Sequence, residues 1–205
     1  ADMERYGSLE AVSGQPRLVG YYRVLQRAWS ELGLSSVLCV NHVPTLYRVD
    51  KAHAIDSAAL ADLHRKFWNQ GVARVLLVVD PKTAYVFSGL QPPVRGRAHE
   101  MFDPGCSESP LVRSFDFAAF SQQEEAFTES VRTGEFYRVY SEKFRPAFSV
   151  DQSLTANLMG LRRCLARPGL PPLPDAIAHD FICRLLFVCY LVDRGIVPLD
   201  GRPGM

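Results

Sequence analysis

Apolar positions fall into two rhythms along this chain, one of three to four residues and one of two. From Pro16, Val19, Tyr22, Leu25, Trp29 and Leu32 recur at helical spacing, and Gly33 supplies the expected stop. SSVLCVN (Ser35 to Asn41) and TLYRVD (Thr45 to Asp50) then read as strands, with His42-Val43-Pro44 as the break between them. Asp56 or Ser57 caps a helix whose apolar face is Leu60, Leu63 and Phe67; Ile55 staples its start and Gly71 closes it. Next come ARVLLVVD (Ala73 to Asp80) and TAYVFSG (Thr83 to Gly89), joined by Asp80-Pro81-Lys82-Thr83. Asp followed by Pro favours a type I turn, so this pair predicts a hairpin.

Residues 91 to 112 are rich in Pro and Gly and predict a long loop carrying Arg95, Arg97 and His99. Beyond it the rhythm is helical. Ser121-Gln122-Gln123-Glu124 has the form of a capping box opening a helix that Gly134 ends. Asp151 begins a second helix with Leu154, Leu158, Leu161 and Leu165 on one stripe, and Asp175 caps a third that runs to about Arg194. The expected fold class is therefore α/β in the α+β sense: a small mixed sheet with flanking helices, followed by a helical C-terminal part. The expected organisation is a loose leader over residues 1–15, an α/β domain over 16–115 and a helical part over 116–205.

Composition changes this picture little. The chain has 205 residues, 47% hydrophobic and 22% charged, with a formal net charge of +1. That suits a globular protein and supplies no global positive field for nucleic acid. The five Cys contain no CxxC pair, which predicts free thiols and a cytoplasmic setting. The longest apolar run, FICRLLFVCYLV (Phe181 to Val192), is too short to span a bilayer and contains Arg184, so it predicts a buried helix and no membrane partner.

Three features carry candidate chemistry. Asp80-Pro81-Lys82 matches the Asp-x-Lys of metal-dependent nucleases, where two carboxylates hold Mg2+ and the Lys steadies water or phosphate. Asp50, at the end of the earlier strand, is the partner this reading needs, giving Asp50, Asp80 and Lys82 as a nuclease alternative. Pro between Asp and Lys favours a turn instead. Trp68-Asn69-Gln70-Gly71 could stack on or read a base, but reads more simply as a helix C-cap. Arg65, Lys66 and Arg74, with Arg95 and Arg97 in the loop, are the candidates for nucleic-acid contact; a solvated charged surface explains them more simply. The histidines His42, His53, His64, His99 and His179 show no zinc-type spacing, and no GxSxG, HExxH or GxxxxGK motif occurs.

Two stretches carry a resemblance. LHRKFWNQGVARVLLVVDPKTAYVFSGLQPP (Leu63 to Pro93) and LLFVCYLVDRGIVP (Leu185 to Pro198) resemble the region ahead of the catalytic domain in large bacterial N6-adenine DNA methyltransferases, including type IIG-like restriction-modification enzymes. In that family the first segment reads like LWNQG, a strand and a YSGF.P-like strand; the second reads like RYLEDRGI. Here they stand as Phe67-Trp68-Asn69-Gln70-Gly71 and as Tyr190-Leu191-Val192-Asp193-Arg194-Gly195-Ile196, with Val192 in place of an acid. The resemblance implies an N-terminal accessory domain, DNA-contacting or scaffolding, in a phage-defence enzyme. It also implies a downstream methyltransferase domain using S-adenosylmethionine. No cofactor and no catalytic residue is expected in this chain, which lacks the S-adenosylmethionine and Asn-Pro-Pro-Tyr motifs. Its sheet would be nuclease-like in outline and degenerate. A protein-interaction module with no nucleic-acid role remains the third reading.

Overall fold

The structure is a computed structural model and describes residues 2–93, 109–145, 150–165 and 174–193. It has a mixed α/β fold, and the chain divides into two compact units, Ala1–Gln152 and Ser153–Met205.

The first unit is built on a six-stranded sheet in sequential order: β1 (Met3–Tyr6), β2 (Ser36–Val40), β3 (Val43–Asp50), β4 (Val75–Val79), β5 (Thr83–Ser88) and β6 (Leu111–Asp116). All neighbours are antiparallel except β3 and β4, which are parallel. A parallel pair needs a crossover. Here it is a helix over Ser57–Gln70, whose start is held where Asp56 accepts from the Ala59 amide at 2.7 Å.

Side chains alternate across a strand, so the sheet sorts its residues into two cores. One face carries Val37, Tyr47, Val49, Leu76, Val78 and Phe87. It is covered by α1 (Leu9–Ser13), α2 (Tyr22–Leu32) and α3, the Ser57–Gln70 crossover, through Val12, Leu25, Leu32, Leu60 and Phe67. The other face carries Leu38, Leu46, Leu77, Val79 and Val86, under α4 (Phe117–Thr133) and α5 (Glu135–Val139). All five β4 residues are buried, which explains its unbroken Val/Leu run: it is the strand covered on both sides. Helix α4 and α5 share the sheet's core, so the expected division after residue 115 falls inside the first unit.

Several expectations are corrected. Residues 1–15 are not a loose leader throughout, since β1 pairs with β2 and α1 buries Val12. Strand β6 stands where the sequence predicts the end of a loop. Helix α4 begins at Phe117, after Asp116, so the capping-box pattern at Ser121 lies within it and the Ser121 hydroxyl donates to the Phe117 carbonyl. The first hairpin turns at Asn41-His42, both with positive φ (50° and 64°), and Pro44 lies inside β3 opposite Cys39 at a register shift. The helix expected from Pro16 starts as a 3-10 turn over Pro16–Tyr21; its tighter winding buries Leu18 and leaves Val19 exposed.

After α5 comes a 3-10 turn, Ser141–Lys143. Two long helices follow, α6 (Val150–Leu165) and α7 (Asp175–Asp193). Among the described residues, no helix is long and apolar enough to cross a membrane. The run from Phe181 was expected to be buried. Ala178 and Ile182 are, but Ile177, Phe181, Leu185, Leu186, Phe187 and Val188 are exposed.

Candidate functional site

The nuclease alternative depends on whether Asp50, Asp80 and Lys82 converge. Strands β3 and β4 end side by side, with Asp50 opposite Val79. Asp80 lies one residue further on, and one step along a strand reverses the face. Asp50 therefore shares the α4 face with Arg48, and Asp80 turns to the opposite face, toward the segment leading into α3. The hydrogen bonds follow this geometry. Asp80 Oδ1 accepts from the amides of Lys82 (2.8 Å) and Thr83 (2.7 Å), and Oδ2 from Ile55 (3.2 Å). Burial pushes the Asp80 pKa up, yet these three amides and the nearby Lys82 charge hold it below the ordinary carboxylate value.

Asp50 has a different partner. Its oxygens accept from Arg48 Nε at 2.9 and 3.1 Å, and the Arg48 guanidinium also pairs with Glu124 of α4. Arg5 reaches the same Glu124 oxygen at 3.4 Å. A guanidinium thus sits between the carboxylates of this face, where a cation-binding site would need an ion. Lys82 is exposed at the turn, and the bond it makes to Asp80 is through its backbone amide. The structure does not bring the three side chains together, and they do not fit Mg2+. Among the described residues, no group of three or more His, Cys, Asp or Glu is placed to hold a metal.

The basic candidates are partly neutralised. Arg65 and Lys66 both pair with Asp62 on the preceding turn of α3, Lys66 at 2.7 Å. Arg74 is exposed at the start of β4, at the same end of the sheet; its amide donates to the Thr45 carbonyl and its carbonyl accepts from Gly89. Arg95 and Arg97, with His99, lie outside the described residues. Trp68-Asn69-Gln70-Gly71 closes α3: Gly71 has φ 64° and its amide donates to the Trp68 carbonyl. The Trp68 indole nitrogen and both Gln70 amide atoms are buried without hydrogen-bond partners, so they are not presented to a base. Gly89 passes so close to this helix that a methyl there would collide with the Ala73 carbonyl and press on the Phe67 ring.

Histidines take separate roles. His42, at the hairpin tip, accepts at Nε2 from Arg17 (2.6 Å), which leaves Nδ1–H to donate to Glu4 (3.0 Å). Tyr6 donates to the same Glu4 oxygen at 2.8 Å. His64 is wholly buried between Phe67 and Phe87; its Nε2–H donates to the Ser88 carbonyl at 3.0 Å, and Nδ1 has no partner. His53 is exposed, and His179 approaches the Cys183 sulfur along α7 at 3.8 Å.

Nothing in the sequence spacing singles out two further features. One is a buried polar cluster joining the end of β5 to the 3-10 turn. Ser88 Oγ donates to the Lys143 carbonyl (2.6 Å), and Lys143 Nζ donates to the Ser109 carbonyl (2.9 Å). The Gln91 side chain donates to the Glu142 carbonyl (3.3 Å). These are isolated residues far apart in sequence, so no local pattern could reveal them. The other is a pair of cavities on the α4 face: a groove of about 910 Å³ beside β1 with Arg5, Glu124, Glu125 and Glu129, and an aromatic pocket of about 240 Å³ beside β6.

No family model, no curated protein and no solved structure matches the chain.

Proposed function

We propose that this chain is a non-catalytic, scaffolding accessory domain of a bacterial N6-adenine DNA methyltransferase or restriction-modification enzyme. The observation that carries the scaffolding role is the apolar surface of α7. Ile177, Phe181, Leu185 and Val188 are all exposed and recur at helical spacing, and an apolar stripe of that kind marks an interaction site. Part of the stretch that resembles the methyltransferase family, Leu185 onward, lies in this helix. The partner it fits is an apolar surface of a catalytic domain that binds S-adenosylmethionine. DNA contact is the lesser component, because Arg65 and Lys66 are already paired with Asp62.

The nuclease alternative loses support because Asp50 and Asp80 point to opposite faces. A pure interaction module shares the α7 surface and differs in its partner.

Co-expression with a tagged N6-adenine methyltransferase domain tests the reading. The expected result is co-purification of the two. The double variant Phe181→Glu, Leu185→Glu abolishes it without lowering the melting temperature of the sheet unit. Tight S-adenosylmethionine binding by this chain alone would overturn the proposal, as would magnesium-dependent plasmid cleavage that Asp80→Ala abolishes.

A further inference from the structure

Among the described residues the sheet ends at β6, and the α4 face of that strand holds a site built from residues other than those of α7. Arg113 and Phe115, opposite Val86 and Ala84, both face α4. The Arg113 guanidinium lies 4.4 Å from the centre of the Phe115 ring and donates to the Tyr140 hydroxyl at 3.3 Å. No carboxylate pairs with it among the described residues. It is a charge held in place by an aromatic ring and a phenol, with donors to spare for an anion as far as the described residues go. Next to it opens the pocket of about 240 Å³, walled by Phe115, Phe127, Phe136, Val139 and Tyr140. The acid in its lining, Glu135, is turned to Arg138 at 3.5 Å.

Three properties narrow the occupant. Pockets for whole cofactors and drug-sized ligands run to roughly 300–1,000 Å³; this one is smaller and suits a single aromatic side chain. The rim is positive at Arg113, so the group beside that ring is an anion. Among the described residues the strand alongside is the last in the sheet, with Arg113, Ser114 and Asp116 exposed, so a further strand has a place to pair. A free ring would use the pocket alone. An extended peptide uses the pocket, the charge and the strand edge together.

We propose that β6 and this pocket take an extended acidic peptide segment of a partner protein. The segment adds as a seventh strand, places an aromatic side chain among Phe115, Phe127 and Phe136, and sets a carboxylate two residues along, on the same face, against Arg113.

The test uses a fluorescein-labelled peptide of alternating Val and Glu in which Phe replaces the central Glu, so that Phe and the remaining Glu share one face, titrated into the intact chain and read by polarisation. The expected result is saturable binding. Arg113→Gln weakens it roughly tenfold, as loss of one charge-assisted pair would. Ala126→Trp, at an exposed α4 position on the pocket rim, abolishes it while leaving the melting temperature unchanged. The same peptide with N-methylated backbone positions fails to bind. Equal binding of the N-methylated peptide, or of phenylacetate alone, would overturn strand addition in favour of a small aromatic acid. Displacement of the peptide by single-stranded oligonucleotide would overturn it in favour of a base-stacking site. Absence of peptide binding at low salt would overturn the proposal outright. None of these readouts involves α7, so the result is independent of the scaffolding role.

Discussion

His64 shows how much one side chain can set the behaviour of a core. Its apolar neighbours Leu60, Leu63 and Phe67 lie on the same side of α3, and its ring packs on Phe67 and Phe87. Burial disfavours the imidazolium and pushes its pKa from 6.5 to about 4, against the raising effect of the Ser88 carbonyl. Above pH 6.5 the ring is neutral in folded and unfolded chains alike. As pH falls from 6.5 to about 4, the unfolded chain takes up a proton that the folded chain refuses, so stability is lost across that window. The full loss is roughly 3 kcal/mol. Urea denaturation of wild type and His64→Gln from neutral pH down to this range checks it. The variant, which keeps a donor for Ser88, is expected to lose less stability over the window, and parallel curves would show that His64 does not drive the effect. The burial of His64 is legible in the helical stripe; the missing partner for its Nδ1 is not, because it depends on strands distant in sequence.

Turns and strand edges are where the elements departed from expectation. The hairpin between β4 and β5, the helix α3 and its glycine stop follow from local rules and stand as predicted. Strands β1 and β6 were missed for one reason: both are edges. An edge strand is short and half-solvated, so MERY and LVRSFD lack the apolar run that reveals β4. The Asp80 turn yields a test that separates architecture from chemistry. Asp80 is buried and accepts three backbone amides, so Asp80→Ala is expected to destabilise the chain by roughly 2–3 kcal/mol. Asp50 is half-exposed, and its loss leaves Arg48 paired with Glu124. Asp50→Ala should therefore cost no more than about 1 kcal/mol. Chemical denaturation of both variants reads the difference; equal costs would mean that the two carboxylates share a role.

The molecule as a whole is nearly neutral at +1, and several of its described surface charges pair with one another. Among the described candidates, Arg65, Lys66 and Arg74 set the upper limit on phosphate contacts, and the first two must leave Asp62 to make them. With three contacts at most, the slope of log affinity against log salt for duplex DNA should be no steeper than about −3. A fluorescence titration over a salt series checks this; a much steeper slope would point to a basic surface elsewhere in the chain. The exposed apolar residues of α7 set the opposite expectation for protein partners, and the second unit offers them a helix face rather than a charged one.

Local pattern was enough for the mixed α/β class, the identity of the central strands, the helix caps at Asp56, Gly33 and Gly71, and the turn at Asp80. Each of these rests on residues within a few positions of one another, so periodicity and turn chemistry encode them directly. The pairing of β3 with β4 in parallel, and hence the faces of Asp50 and Asp80, was settled only when the strands came together. So were the Arg48–Glu124 pair, the Lys143 cluster and the pocket beside Arg113, whose partners lie far apart along the chain. Contacts between distant residues are set by register and packing, and a single step of register moves a side chain from one face of the sheet to the other.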